Sequence, residues 1–215
     1  MPIALPIPIQ VERPDRLPAD ARRALHANFF TWLAAGDPAV AEQLHDSSNV
    51  KPFTLSTLTE RGGEFVFRVV LLDDALWEPF WNGMLQVGYI NLLGQHLPIQ
   101  EGWLTREHRP YPQLAAEARP EREFRFRFLT PTSFRTGKLQ YPLPEPRNIF
   151  QSLLFRWNAL APEPLRMDQE RILDIVVEHV GIGRHKIRQR EKLTHQTRGI
   201  EYRRKRSGVC FDPNS

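Results

Sequence analysis

The chain of 215 residues is long enough for one large domain or two small ones of about 100 residues each. Its composition, 41% apolar and 25% charged, is that of a folded soluble protein, and the single cysteine, Cys210, excludes an internal disulfide and a thiolate metal cluster. No stretch approaches the roughly 18 apolar residues of a membrane span, and the start, MPIALPIPIQ, lacks the basic region of a signal peptide.

Positive charge is concentrated at the C-terminal end. The chain has a net charge of +4, and residues 181–215 hold ten Lys or Arg residues against three acids, so the remainder carries a small excess of acids. A basic end on a mildly acidic body favours a polyanionic partner. A solvated basic tail would have the same composition, so charge alone leaves both interpretations open.

The first hundred residues carry alternating strand and helix patterns. Ile3 to Val11 alternate with period two, which predicts a strand, and the prolines between them predict an edge or irregular strand. Pro18 suits a helix start, and a helical apolar stripe then runs to Gly36, where Asp37-Pro38 opens a second helix.

Strands are predicted at 50–58 and 64–72, joined by a Gly-Gly turn, followed by a helix over 75–93 and a strand over 96–104. This order of strand, helix, two strands, helix and strand is the βαββαβ arrangement of a ferredoxin-like domain. The Trp and Phe residues at helical spacing are interpreted as core residues rather than as base-stacking platforms.

A second unit is predicted after a proline-rich, charged linker at 105–121. Its first strand is REFRFRF at 122–128, in which phenylalanines and arginines alternate. A helix follows with Ile149, Phe150, Leu153, Leu154 and Trp157 on its apolar face, and Asp168 caps a helical segment over 169–180.

Four segments together resemble one protein family. ALHANFFTWL, LHDSSNVKPFTLS, FLTPTSFR and PLPEPRNIFQSLLFRWN are similar, in this order, to CRISPR-associated RAMP-type endoribonucleases of the sixth Cas family. The resemblance implies an α+β fold of two tandem ferredoxin-like domains, which we expect at 1–104 and 122–215. The second is expected to be incomplete or atypical at its C-terminus, because Gly181, Gly183, Gly199 and Gly208 do not reproduce the family's glycine-rich loop.

The resemblance also implies a function. Members cut precursor CRISPR RNA within its repeats, without a metal or other cofactor: the 2′-hydroxyl attacks the adjacent phosphate and leaves 2′,3′-cyclic phosphate and 5′-hydroxyl ends. The implied partner is CRISPR repeat RNA, with other CRISPR effector subunits as a further expectation, in the cytoplasm of a prokaryote. The alternatives are a non-catalytic RAMP-type protein that holds repeat RNA, and a degenerate member.

His45 and Lys51 fall on the family's catalytic histidine and lysine positions, while Phe30 stands where members have a tyrosine. Histidine suits proton transfer near neutral pH, and an ammonium suits charge stabilisation at a phosphate. His45 could instead be a solvated residue at a helix end. His26, one turn before Phe30, is a possible auxiliary group that could replace the tyrosine, or a half-exposed helix residue.

Several basic residues are candidate RNA contacts. Arg125 and Arg127 share one face of the predicted strand, where they would meet a phosphate backbone if that face is open. Lys138 and Arg147 flank the proline-rich loop, and Arg184, Lys186 and Arg188 alternate as on one basic face of a strand.

Overall fold

The chain folds into two compact units, Met1–Ala118 with Ala159–Leu165 and Arg119–Asn158 with Arg166–Ser215. The computed structural model describes residues 2–11, 21–46, 50–61, 64–92, 94–99, 104, 106–128, 132–136, 139–141, 143–183, 188–192 and 206–210. Helices and antiparallel sheets in these ranges confirm the predicted α+β class. No helix within them has the length and hydropathy needed to cross a membrane.

The first unit is built on an antiparallel sheet. Its strands are β1 (Ile3–Ile9), β2 (Phe53–Leu55), β3 (Thr59–Arg61), β4 (Glu64–Leu71) and β7 (Glu107–His108). The order across the sheet is β2-β4-β1-β7, and β3 pairs with the other end of β4. With helices between β1 and β2 and after β4, this order is consistent with a ferredoxin-like unit.

The described part of the same unit contains the α-helices α1 (Arg22–Gly36), α2 (Pro38–Asp46), α3 (Trp77–Val87) and α4 (Tyr111–Glu117). The predicted break between α1 and α2 is confirmed. Asp37 lies between them, and its carboxylate accepts the backbone N–H groups of the first turn of α2, at 2.9 Å and 3.1 Å.

The core of this unit lies between the sheet and helices α1 and α3. The side chains of Phe29, Trp32, Phe67 and Phe80 are completely buried. Gly36 and Gly83 lie where α1 and α3 cross, and a Cβ at either position would collide with the backbone of the opposite helix. The two glycines therefore set the close approach of the helices that cover the sheet.

The helix predicted over 75–93 extends too far at its C-terminal end, because α3 ends at Val87. Gly88 adopts the left-handed conformation (φ 72°), and its N–H donates to the Met84 carbonyl at 2.9 Å, which ends α3. The chain then forms a hairpin of β5 (Tyr89–Leu92) and β6 (Gln95–Pro98). The strand predicted over 96–104 is thus divided between this hairpin and a bridge from Ile99 to Ile9.

Part of the expected linker at 105–121 is folded within the first unit. It contains β7, which pairs with β1, and α4. Tyr111 is buried, and its hydroxyl donates to the Leu72 carbonyl at 3.0 Å. Both elements are short and mostly exposed, so they accommodate a proline-rich and charged sequence. The assignment of residues 1–104 and 122–215 to two ferredoxin-like domains stays a prediction.

The second unit contains α5 (Pro146–Leu160, except its last two residues) and α6 (Gln169–His179). The Asp168 carboxylate accepts the Arg171 N–H at 3.1 Å, which confirms the predicted cap of α6. The buried face predicted for α5 is only partly correct, because Leu154 is buried but Leu153 is 51% exposed.

Two strand pairs also belong to this unit, β8 (Phe134–Thr136) with β9 (Leu139–Tyr141) and β10 (Arg188–Lys192) with β11 (Arg206–Cys210). The strand predicted over 122–128 is wrong for the described part of the chain. That segment has no ladder partner there, and alternation alone cannot supply one. The rings of Phe124 and Phe126 instead meet Phe150 of α5, at 5.6 Å and 6.2 Å.

Candidate active site

Two histidines of the first unit pack against one phenylalanine ring. His26 and Phe30 lie one turn apart on α1, with ring centroids 4.9 Å apart. His45, on the last turn of α2, meets the same Phe30 ring edge-on at 5.6 Å. The α1–α2 connection therefore brings together two imidazoles that are far apart in the sequence. We call His26, Phe30, His45 and Lys51 the histidine cluster.

Phe53 at the start of β2 forms the floor of this cluster. It is buried, stacks on Phe29 at 4.4 Å and meets the Phe30 ring at 5.9 Å. The His26 ring lies 6.4 Å from the Phe53 ring. The imidazoles are thus held above the hydrophobic core of the unit, although both remain exposed to solvent.

Lys51 lies at the end of α2, as its position before β2 suggests. Its ammonium donates to the carbonyls of Leu44 (2.5 Å) and His45 (3.2 Å), which belong to the last turn of the helix. Such carbonyls have no partner within the helix and carry the negative end of its dipole. Lys51 therefore fixes the turn that carries His45.

Positive charge and partial burial act together on His26. Burial against the surrounding side chains is the main cause that lowers the pKa of His26, and the positive charges of His45 and Lys51 lower this pKa further. His26 therefore holds a proton less readily than an ordinary histidine. The imidazole of His45 contacts the Asp46 carboxylate at 3.4 Å and is 72% exposed.

Asn28 ties α1 to the β5–β6 hairpin. Its side chain is buried, donates to the carbonyls of Ala24 (2.6 Å) and Asn91 (2.7 Å), and accepts the Asn91 N–H at 2.7 Å. Sequence reasoning missed both Asn28 and Phe53 as supports of the cluster. The signal for Asn28 was an amide among the apolar residues of a helical stripe.

Only some of the candidate RNA contacts lie among the residues that the structure describes. Arg125, Arg127 and Arg147 are exposed, and Arg125 pairs with Glu123 at 3.2 Å. Arg188 lies in β10, but its side chain is not among the described ones. The remaining predicted contacts, Lys138, Arg184 and Lys186, lie outside the described residues. Within the described ranges, no group of three or more His, Cys, Asp or Glu is arranged to hold a metal ion.

Comparisons with known proteins show which family the chain is similar to. Residues 126–208 match the family described as CRISPR-associated endoribonuclease Cas6. No curated relative matches the chain.

Among solved structures, a product complex of Cas6 (TTHB231) covers 98% of this chain and 83% of its own, at 26% identity and a TM-score of 0.70. A product complex of Cas6 (TTHA0078) has the same TM-score at 24% identity, with 98% and 82% coverage. A Cas6-related protein from Pyrococcus furiosus shares the fold at 14% identity, with 98% and 84% coverage and a TM-score of 0.52. This chain is thus similar to the Cas6 family of CRISPR-associated endoribonucleases over residues 126–208, and its fold resembles that of solved Cas6 structures along almost its whole length.

Proposed function

We propose that this chain cuts precursor CRISPR RNA within its repeats without a metal ion, by attack of a ribose 2′-hydroxyl on the adjacent phosphate. The observation that carries the proposal is the histidine cluster, which places two imidazoles beside one ring and an ammonium at the helix end that carries one of them. This transesterification needs a base, an acid and positive charge, and the cluster contains one group for each.

His26 is the proposed general base. A base must be neutral at the working pH, and the lowered pKa of His26 favours its neutral form near pH 7. His26 takes the proton of the 2′-hydroxyl while this oxygen forms a bond to phosphorus.

His45 is the proposed general acid. The bond from phosphorus to the 5′-oxygen breaks, and protonated His45 gives its proton to that oxygen. The products are a 2′,3′-cyclic phosphate and a 5′-hydroxyl end. The two histidines finish with their protonation states exchanged, and solvent restores them. Acid–base help of this kind contributes roughly 10²–10⁴-fold.

Lys51 has a double role in this proposal. Its contacts with the last carbonyls of α2 hold the turn that positions His45. Its charge also adds to the positive potential over the cluster, which favours the extra negative charge of the pentacoordinate phosphorus. Phe30 has no hydroxyl to contribute, and it acts as the ring against which both imidazoles pack.

Repeat RNA is the proposed substrate, and exposed arginines of the second unit are proposed contacts. Arg125, Arg127 and Arg147 present guanidinium groups to solvent, where they can pair with phosphates. Such contacts would make binding weaken steeply as salt is raised.

The test is a cleavage assay with repeat RNA transcribed from the CRISPR array of the source organism. The wild-type chain, His26→Ala, His45→Ala and the control His96→Ala are compared in excess EDTA. His96 is an exposed histidine of the β5–β6 hairpin that stacks on Tyr89, outside the cluster. We expect the wild type and His96→Ala to cut, and each cluster variant to bind RNA but to cut at least about 100-fold more slowly.

Other outcomes support other functions. Unchanged cutting by His45→Ala removes this residue from the mechanism, and loss of cutting in EDTA that magnesium restores contradicts metal independence. Tight binding without cutting by the wild type indicates a non-catalytic RNA-binding protein. Weak binding with a broad melting transition indicates a degenerate member.

A further inference from the structure

A cavity of about 330 Å³ lies in the first unit outside the histidine cluster. Its lining includes Ile3 of β1, Arg106 and His108 at the β7 edge, and Asp74, Trp77 and Glu78 at the start of α3. The lining thus combines an apolar floor, an aromatic wall and both signs of charge. We call it the Trp77 pocket.

The aromatic wall has the chemistry of a stacking site. The Trp77 ring stacks on Trp81 at 5.0 Å and 23°, and the Arg106 guanidinium carbon lies 4.9 Å from the Trp77 ring centre. Both tryptophans are only partly buried, and Arg106 is exposed. Both rings pack against the core, as predicted, but part of each remains exposed. A planar guanidinium over an indole is a surface on which a nucleobase can stack.

The polar groups of the pocket favour a base rather than a phosphate. The side chains of Asp74 and Glu78 add two carboxylates, which repel a phosphate and accept hydrogen bonds from N–H donors. Amino groups on the edge of a nucleobase are such donors, as in the carboxylate–cytosine pairing. The matching ligand is an unpaired base that carries an amino group.

The register of the sheet relates the pocket to the histidine cluster. Phe53 pairs with Leu71, Leu71 with Ile3, and Ile3 with His108, so these four residues form one row across the sheet. Phe53 is the floor of the histidine cluster, while Ile3 and His108 line the pocket. Three strand spacings separate the two ends of the row, which is about 14 Å.

We propose that the Trp77 pocket receives an unpaired, amino-bearing base of the same RNA that is cut at the histidine cluster, a few nucleotides from the reacting phosphate. The proposal rests on the proposed function and deepens it, because it adds a base-reading subsite to the first unit. Arg106 and Trp77 hold the base by stacking, and Glu78 accepts a hydrogen bond from its amino group.

The experiment measures the affinity of repeat RNAs that each carry one abasic nucleotide at an unpaired position. Fluorescence anisotropy of labelled RNA is recorded with His45→Ala, and with the same chain that also carries Arg106→Ala. Because stacking on one base is lost, we expect one abasic position to weaken binding about tenfold. After Arg106→Ala the same position should cost twofold or less.

Two further variants make the test specific. Glu78→Gln removes the carboxylate, and it should abolish the preference for the natural base over uracil at that position. Arg109→Ala removes a nearby exposed arginine that pairs with Glu117 at 3.8 Å, and it should leave every abasic penalty unchanged. Arg106, Glu78 and Arg109 are all exposed, so these substitutions leave the core intact.

Abasic penalties that are the same with and without Arg106 would overturn the pocket as an RNA subsite. Cleavage by the wild-type chain, measured beside these affinities, separates the two proposals. A chain that cuts RNA but shows no Arg106-dependent position contradicts the pocket alone. A chain that neither binds nor cuts RNA contradicts the proposed function as well.

Discussion

The two units differ in how well their described parts are packed. The first unit buries large aromatic side chains completely, among them Phe29, Trp32 and Phe80. In the second unit Leu154 is buried, while Phe155 is 59% and Val177 is 64% exposed. The family match falls at 126–208, mostly in the loosely packed unit, whereas the histidine cluster rests on the core of the first. The residues of the family match and those of the proposed chemistry thus lie in different parts of the chain.

Substitution of one phenylalanine by alanine in each unit is expected to give the largest difference in the loss of stability. Phe80→Ala removes a completely buried ring of α3 and should lower the free energy of unfolding by about 3–5 kcal/mol. Phe155→Ala removes a ring that is 59% exposed and should cost less than about 1 kcal/mol. Urea unfolding of both variants measures the contrast. Equal losses would show that the two helices are equally packed.

Glycine substitutions test the same contrast through the backbone. Gly83→Ala places a Cβ against the Trp32 carbonyl where α1 and α3 cross, and it should cost about 3 kcal/mol. The matched control is Gly181→Ala in the second unit, where an added Cβ meets no atom within 4 Å. This control should change stability by less than about 0.5 kcal/mol. A neutral Gly83→Ala in thermal unfolding would contradict the close crossing.

Removal of a hydrogen-bonding amide from each unit should give a smaller difference in the loss of stability. Asn28→Ala leaves the backbone groups of Asn91 without their buried partner and should cost about 1–3 kcal/mol. Asn158→Ala is the counterpart in the second unit, where the amide makes two exposed hydrogen bonds to Met167. It should cost less, because water replaces the lost partner. Chemical unfolding at pH 7 compares the two losses.

The smallest expected effect is a dependence of stability on pH. The pKa of His26 is lowered in the folded chain, so the unfolded chain binds its proton more readily. The stability that neutral His26 contributes to the folded chain is then fully present above the reference pKa of about 6.5. It declines as the pH falls toward the lower pKa of the folded state. His26→Ala should therefore flatten the loss of stability between about pH 7.5 and 5.5.

Urea midpoints across that range measure this slope, and His96→Ala is the control that should retain it. An identical slope in wild type and His26→Ala would contradict the lowered pKa of His26, which burial causes first and the charges of His45 and Lys51 add to.

The sequence predicted those elements whose signals are local. The alternation of β1, the break at Gly36-Asp37-Pro38 and the cap at Asp168 each depend on a few neighbouring residues. They form as predicted because side-chain spacing and short-range hydrogen bonds are enough to specify them.

Long-range features were less predictable. Helical spacing could not show that Trp32 is buried while Trp77 lies at a pocket, because the difference depends on which helix face meets the sheet. The strand pattern at 122–128 specified alternation but no partner. The sequence suggested His45 and Lys51 as one site and His26 as a possible auxiliary group. The packing of both imidazoles on Phe30 depends on how α1 and α2 meet, which spacing alone does not specify.

In the proposed mechanism the histidine cluster cuts RNA through the 2′-hydroxyl. The most direct measurement is mass spectrometry of the upstream product from repeat RNA incubated in EDTA, beside RNA with a single 2′-deoxynucleotide at the cut position. We predict a 2′,3′-cyclic phosphate on the all-ribose product and no cleavage of the deoxy substrate. Cleavage of the deoxy substrate at the same position, with a 3′-hydroxyl or linear phosphate end, would contradict attack by the 2′-hydroxyl.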